Sequence, residues 1–346
     1  METPDAAYYN ALAVACDGDY AAIKRVRSGH RSWRAAWESA PVTLRRNIAK
    51  EWERMERSGA RLILREDADF PESLREIPHP PFGLYVKGVL PRREIISIAI
   101  VGTRKATMHG KAFAEKFSVA LAAKALCIVS GLALGIDAAA HKGALRANGT
   151  TVGVLACGLD RVYPSEHVGL AKEMLGGHGA LMSEYPVGSV TLPYRFLERN
   201  RIVSGLSKGI VVIEAPEQSG ALATARFALD QNRDVFVVPG RADDPVYAGA
   251  HELIKSGAAL VTSPEDVLRA YGIAGDANAA HQTAALAALG AEERRIYDTL
   301  KENGEPLSVD KLSERVTLPI HIVTRALTFL QLKGFVRESS GAYEIS

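Results

Sequence analysis

The sequence predicts an α/β fold: a central doubly wound, Rossmann-like parallel sheet with an N-terminal helical bundle and a C-terminal winged-helix domain. Three observations predict it. Ile95 to Val101 and Ala125 to Val129 are short, β-branched apolar runs, each followed by small and polar residues and then a helical pattern. The same alternation of strand and helix recurs downstream to about residue 272. Both ends of the chain lack it and read as helices. Strand, glycine loop, helix and strand together make the βαβ unit of a parallel sheet.

Residues 1–60 read as helical and self-contained. Tyr8, Leu12 and Val14 mark one helix, and Tyr20, Ile23 and Val26 a second. Trp33, Trp37, Ile48, Trp52 and Met55 supply apolar anchors, with Pro41 and Gly59 as punctuation. These aromatics read as core rather than as a binding face. Residues 61–94 form a lead-in segment packed on the main sheet, with a short strand at Arg61–Leu64 and, after Pro78, Pro80 and Pro81, the stretch Leu84–Gly88. Further strands are predicted at Thr151–Ala156, Ala180–Glu184, Gly209–Glu214, Val235–Val238 and Ala259–Thr262. Helices are predicted at Glu166–Leu175, Arg195–Ser204, Ala221–Asp230 and Ala248–Ser256. The Rossmann-like domain thus covers 61–272.

Residues 273–290, rich in alanine and without an amphipathic face, read as a linker. From 291 to 346, three short helices precede a hairpin over Gly334–Val336, Ser339–Gly341 and Ala342–Ile345, a winged-helix pattern. Such folds often read DNA through their third helix. Here that helix, near Ile320–Lys333, carries only Arg325 and Lys333 as full positive charges. The whole segment has eight Lys/Arg against nine Asp/Glu. A surface seeking phosphate should be more basic, so protein contact or regulation competes with DNA reading.

With 346 residues and a net charge of +2, the chain has room for several domains but no overall basicity that announces a nucleic acid. Cys16, Cys127 and Cys157 are far apart and lack metal-type spacing, so free thiols are expected. The N-terminus shows no signal-peptide pattern and no apolar run approaches 18 residues, which predicts a cytoplasmic protein with no membrane span.

In an open parallel sheet, ligands sit at the carboxyl ends of the strands. Four unusual loops fall there. The first carries Gly102, Thr103 and Arg104, then Lys105. The second carries Ser130, Gly131 and Gly135, then Asp137 and His141. The third carries Glu214, then Gln218, Ser219 and Gly220, and the fourth carries Pro239, Gly240 and Arg241. Glycines admit a close ligand, and helix N-termini offer free N–H groups to an anion. Neither of the first two loops is GxGxxG or a Walker A loop, so dinucleotide or nucleotide triphosphate binding finds no direct support.

Between the second and third loops lies Arg195-Phe196-Leu197-Glu198-Arg199-Asn200-Arg201. On a helix, Phe196, Arg199 and Asn200 share one face, with Arg195 and Arg201 flanking it. An aromatic ring beside guanidinium groups suits single-stranded nucleic acid, the ring stacking on a base and the arginines taking phosphates. Asp137 and His141, four apart, lack a third metal ligand, and Asp137 reads as a helix-start carboxylate bonded to loop amides. Glu184 and Glu214 end strands, but nothing pairs them with a nucleophile. No catalysis, metal or cofactor is predicted.

At these residues the chain resembles the DNA-processing protein A family (DprA/Smf). The matching pieces are VGTR at 101–104, SGLALGIDAAAH at 130–141, VLACGLDRVYP at 154–164, FLERNRIVSGLS at 196–207 and EAPEQSGALATARFALDQNRDVFVVPG at 214–240. The resemblance spans about residues 60–265 in consistent order, and the helical (SAM-like) and winged-helix flanks fit the family's extra modules. It implies a binding protein that holds and protects single-stranded DNA in natural transformation, helps load the RecA recombinase, and dimerises through the Rossmann-like domain. It further implies Arg104 as the main phosphate ligand, a pocket lined by Gly102, Thr103, Ser130, Gly131 and Gly135, and a strand-binding helix with Phe196, Arg199, Asn200 and Arg201. Leu197 stands where the family usually has proline, Arg195 where the basic residue before the phenylalanine differs in place, and Tyr247–His251 replaces a more polar pattern. The competing readings are a nucleotide-processing enzyme of the phosphoribohydrolase (lysine-decarboxylase-like) type, whose paired glycines and catalytic glutamate residues 218–225 lack, and an interaction module with a vestigial pocket.

Overall fold

The computed structural model describes residues 4–177, 179–273, 286, 289–333, 335–339 and 341–345. The chain divides into two compact units, residues 1–267 and 268–346.

The first unit is built on nine strands: β1 (Arg61–Leu64), β2 (Gly83–Gly88), β3 (Ser97–Gly102), β4 (Cys127–Ser130), β5 (Thr151–Val154), β6 (Gly179–Ser183), β7 (Gly209–Ile213), β8 (Asp234–Val237) and β9 (Ala259–Leu260). Their spatial order is β1-β2-β6-β5-β4-β3-β7-β8-β9. The seven strands from β6 to β9 in that order run parallel, and β2 and β1 extend the sheet antiparallel at the β6 edge. The lead-in segment is therefore part of the sheet. Central strands such as β3 and β7 are buried almost throughout and are mostly apolar, because helices cover both faces. From β3 the chain winds outward through β4 and β5 to β6, then returns past β3 to β7. The order thus reverses between β3 and β7, which opens a crevice at their carboxyl ends.

The crossover helices are α6 (Met108–Ala123), α7 (Ile136–Arg146), α8 (Val168–Gly176), α9 (Pro193–Gly205) and α10 (Gly220–Asp230), numbered after the helices α1 to α5 that precede them in the chain. Thr107 caps α6 by accepting from the Gly110 N–H at 2.9 Å, and Ser219 caps α10. Helix α9 starts two residues earlier than the sequence predicts, at Pro193, whose fixed φ suits a first helical turn. Strand β4 starts two residues later than predicted, because Ala125 (φ 61°) belongs to the turn that follows α6.

The N-terminal helices α1 (Asp5–Ala15), α2 (Tyr20–Arg27), α3 (Trp33–Ser39) and α4 (Ile48–Arg57) are not the self-contained bundle that their spacing suggests. Tyr9 meets Trp33 edge-on at 4.7 Å, and both belong to one apolar cluster with Phe82, Tyr85, Leu155 and Leu181 of the sheet unit. A bundle this small buries too little on its own. The buried Asn10 fixes the docking, accepting from the Tyr85 hydroxyl at 2.8 Å and donating to the Glu51 carbonyl at 3.0 Å. Helix α5 (Glu72–Arg75) bridges β1 and β2, while α11 (Ala248–Lys255) and α12 (Pro264–Ala270) close the sequence of the sheet region.

The second unit contains α13 (Ala291–Asn303), α14 (Val309–Val316), α15 (Ile320–Leu332) and a hairpin of β10 (Val336–Ser339) and β11 (Ala342–Ile345). Ile296, Leu300, Leu312, Val323, Leu327 and Phe335 fill its core, as a winged helix requires. The predicted linker lies almost wholly outside the described residues, as do Gly334 and Ser340 of the predicted hairpin. Cys16, Cys127 and Cys157 are free thiols. Among the described residues, no helix is long and apolar enough to cross a membrane.

Candidate nucleic-acid interface

The crevice between β3 and β7 is a groove of about 600 Å³. Its floor is built by glycines that let neighbouring backbones close in. A Cβ on Gly102 would fall 1.9 Å from the Ile213 carbonyl oxygen, and one on Gly135 (φ 81°) would fall 2.3 Å from that of Thr103. These two glycines thus join the loops after β3, β4 and β7 into one edge. The Thr103 N–H donates to the Glu214 carbonyl at 2.8 Å and completes the junction.

Below the edge lie two buried charges. Asp137, in the first turn of α7, accepts from the N–H groups of Gly131 (3.0 Å) and Ala133 (3.3 Å). The Arg199 guanidinium, 4 % exposed, donates to the carbonyls of Gly131 (2.6 Å) and Val154. Burial pushes the Asp137 carboxyl up, with Arg199 and the two amides opposing it. Burial likewise pulls Arg199 down; Asp137 opposes this, and the nearby Arg104 charge adds to it. Beneath them His141 is fully buried. Thr151 Oγ1 donates to the Ile128 carbonyl at 2.8 Å, so it accepts from His141 Nδ1 at 2.7 Å. Desolvation, then His167 and Arg199, hold its pKa down to about 3.

Above this floor, Arg104 is exposed and its guanidinium lies 4.6 Å from the centroid of the half-buried Phe196 ring. Tyr163 stands beside Phe196, with centroids 5.6 Å apart. Asn200 donates to the Gly220 carbonyl at 3.3 Å and ties α9 to the start of α10. The groove is thus a cation stacked on an aromatic shelf, over a second arginine, beside the Ser219-capped N-terminus of α10.

Of the residues singled out from sequence, Gly102, Thr103, Arg104, Gly131, Phe196, Arg199, Asn200, Ser219 and Gly220 all line this groove. The face Phe196–Arg199–Asn200 is the one that α9 presents. Four others lie elsewhere. Ser130 is fully buried and donates to the Ile100 carbonyl at 2.7 Å, which ties β4 to β3. Gly135 acts from behind, as the junction described above. Arg195, 1 % exposed, donates to the Asp17 carbonyl and pairs with its carboxylate at 2.8 Å. Arg201 forms a buried ion pair with Glu184. These two arginines anchor α9 to the rest of the unit.

Neither strand-end acid is available as a base. Glu184 belongs to Arg201, and the Glu214 carboxylate accepts from the Thr107 N–H at 2.9 Å and from its hydroxyl. Tyr247 also donates to Glu214 at 3.4 Å and stacks on His251, so the loop with the departed pattern braces the groove from behind. Tyr163 was not singled out from sequence. Its one signal was an aromatic residue in the loop after a parallel strand, on the edge where the other loops converge.

A family model described as DNA recombination-mediator protein A matches residues 61–272, and one described as DprA winged helix domain matches 280–342. Protein Smf of Escherichia coli K12 is 37% identical over 292 residues, covering 84% of this chain and 78% of that protein. The putative DNA processing protein DprA of Mycobacterium tuberculosis H37Rv is 34% identical over 350 residues, covering 97% and 90%. The X-ray structure of DNA processing protein A from Streptococcus pneumoniae superposes with a TM-score of 0.63 at 31% identity, covering 78% of this chain and 98% of that one. DNA processing protein A from Helicobacter pylori, described for its unique single-stranded DNA binding mode, gives 0.55 at 28% identity, covering 62% and 97%.

Proposed function

We propose a function from one premise: the chain belongs to the DNA recombination-mediator protein A family. On that premise it is a single-stranded DNA-binding mediator of recombination. It acts in the cytoplasm on incoming DNA during natural transformation, protects the strand and delivers it to the RecA recombinase, and works as a homodimer without chemical turnover.

One observation carries the reading. Arg104 sits at the switch point of a parallel sheet, stacked on Phe196, with no carboxylate partner among the described residues. The Arg199 guanidinium below it is buried, donates to two carbonyls and feels the Asp137 charge, which leaves Arg104, with Lys105 beside it, for an incoming anion. A phosphate on Arg104 together with a base face on the Phe196–Tyr163 shelf suits an unpaired strand, because a duplex stacks its base faces away. The single-strand binding described for the Helicobacter pylori relative supports the same assignment. A nucleotide-processing enzyme needs a free carboxylate in the groove, and Asp137, the one acid among its described lining residues, is already engaged.

Fluorescence anisotropy of labelled single-stranded and duplex oligonucleotides over a salt series tests this. Single-strand preference is expected, with affinity falling as salt rises. Arg104→Ala should weaken single-strand binding at least tenfold, about 1.4 kcal/mol. Equal binding of the two forms, or an indifferent Arg104→Ala, overturns the assignment.

A further inference from the structure

The chain's positive charge is unevenly spread. Residues 20–46 hold seven Lys/Arg against one acid, Glu38, a surplus of six in a protein whose total is +2. The rest of the molecule is therefore net acidic. Six of the seven, all but Arg27, are exposed.

Three of these cations have local work. Arg27 lies over the Trp33 ring at 5.0 Å and reaches Glu66 at 4.0 Å. Arg34 pairs with Glu38 at 2.9 Å. Arg45 covers Trp37 at 5.7 Å and donates to the Ala40 carbonyl at 3.0 Å. Lys24, Arg25, Arg31 and Arg46 have neither an acid partner nor an aromatic one among the described residues. Packing accounts for the first group and leaves the second unexplained.

The position of this surface adds the second argument. The turn from Asp17 to Tyr20 is clamped to α9 on both sides of its groove face. Asp17 holds Arg195 at 2.8 Å, and the Tyr20 ring lies 5.8 Å from the Arg201 guanidinium. Helix α2 starts at that clamp and is about 12 Å long. Lys24 and Arg25, the fifth and sixth residues of α2, therefore lie within about that length of the clamp on the helix that carries Phe196.

We propose that Lys24, Arg25, Arg31 and Arg46 form a second contact for the same single strand, holding the phosphates of the stretch that leaves the groove past α9. The inference rests on the groove reading above. Bases carry no part of it, so the contact is indifferent to sequence.

The test uses the full chain and its Lys24→Gln/Arg25→Gln/Arg31→Gln/Arg46→Gln variant. Anisotropy is measured with single strands of about 6 and about 20 nucleotides, lengths chosen against site sizes of about 4–16 nucleotides. The wild type should bind the long strand more tightly. The variant should match it on the short strand within about twofold, lose at least about tenfold on the long one, and show a log–log salt slope shallower by about 2–3, at about 0.7 per phosphate. Thermal melts check the fold. The separate pairs Lys24→Gln/Arg25→Gln and Arg31→Gln/Arg46→Gln should each give about half the slope change, which covers the case of an unfolded quadruple variant.

Equal long-strand binding by variant and wild type overturns the proposal, as does an equal loss on both lengths. A wild type that binds the short strand and gains nothing with length refutes this surface alone. A wild type that binds neither length refutes the groove reading and this one with it.

Discussion

The groove at the β3–β7 switch point and the third helix and hairpin of the winged-helix unit both offer arginines and lysines, and they use them in opposite ways. On the third helix of the winged unit, Arg325 pairs with Glu292 at 2.8 Å and Lys333 with Glu293 at 3.0 Å; on the hairpin, Arg337 pairs with Glu344 at 2.8 Å. In the groove, Arg104 rests on a ring, and its charge is felt by another arginine, Arg199. A cation already facing an acid has little left for a phosphate, whereas one on an aromatic shelf keeps its charge available. On the proposed function, what should predict binding is which cations lack an acid. How many there are predicts less.

The same division runs through α9. Arg201 is buried against Glu184, so removing one partner strands the other in a low dielectric. Arg201→Ala should destabilise the sheet unit by about 3–5 kcal/mol in denaturant unfolding. Arg325→Ala, at an exposed pair, should cost less than about 1 kcal/mol. Equal costs at the two positions would erase the distinction between scaffold and surface charge.

Phe196→Ala comes next in size. A stacking ring should cost about 1–3 kcal/mol of single-strand affinity, with the melting temperature little changed because the ring is only half-buried. A large drop in melting temperature with proportionate loss of binding would make Phe196 a core residue instead.

The floor beneath the groove can be probed by pH. His141 is neutral when folded, with its pKa depressed from 6.5 to about 3. Between those values the unfolded chain binds the extra proton, so stability is full above about pH 6.5 and falls as pH drops through the window. Between pH 7.5 and 5.5 this group alone should remove about 1.4 kcal/mol. Unfolding of His141→Gln at both pH values, compared with wild type, isolates it; an unchanged pH dependence would show that the ring is not held neutral under the site.

Much of this was legible in the residues, and the reasons are local. β-branched runs, glycine turns and helical spacing are properties of neighbours in sequence, so the strand rhythm and the convergence of four loops could be read directly. The i, i+3, i+4 spacing also grouped Phe196, Arg199 and Asn200 correctly on one face. What could not be read was the fate of the flanking arginines. Arg195 is taken by Asp17, 178 residues away, and no periodicity announces that partner. Ser130 was misjudged for a similar reason: its acceptor is the carbonyl of Ile100 on the adjacent strand. The N-terminal aromatics were recognisable as core, but the core they belong to includes Phe82 and Tyr85, so the bundle's dependence on the sheet was invisible.

The smallest expected effect is the sharpest test of the opening contrast. In the full chain, Arg325→Ala/Lys333→Ala removes two cations from the helix that a DNA-reading winged helix would use. Both are already matched by acids on α13, so little phosphate affinity should be lost. Single-strand affinity should change by less than about twofold, or about 0.4 kcal/mol, and the salt slope should stay within experimental scatter. If each cation instead held a phosphate, the slope would become shallower by about 1.4 for the pair. Glu292 and Glu293 would then have to release their partners on DNA binding, and charge pairing in the free protein would no longer separate the two regions.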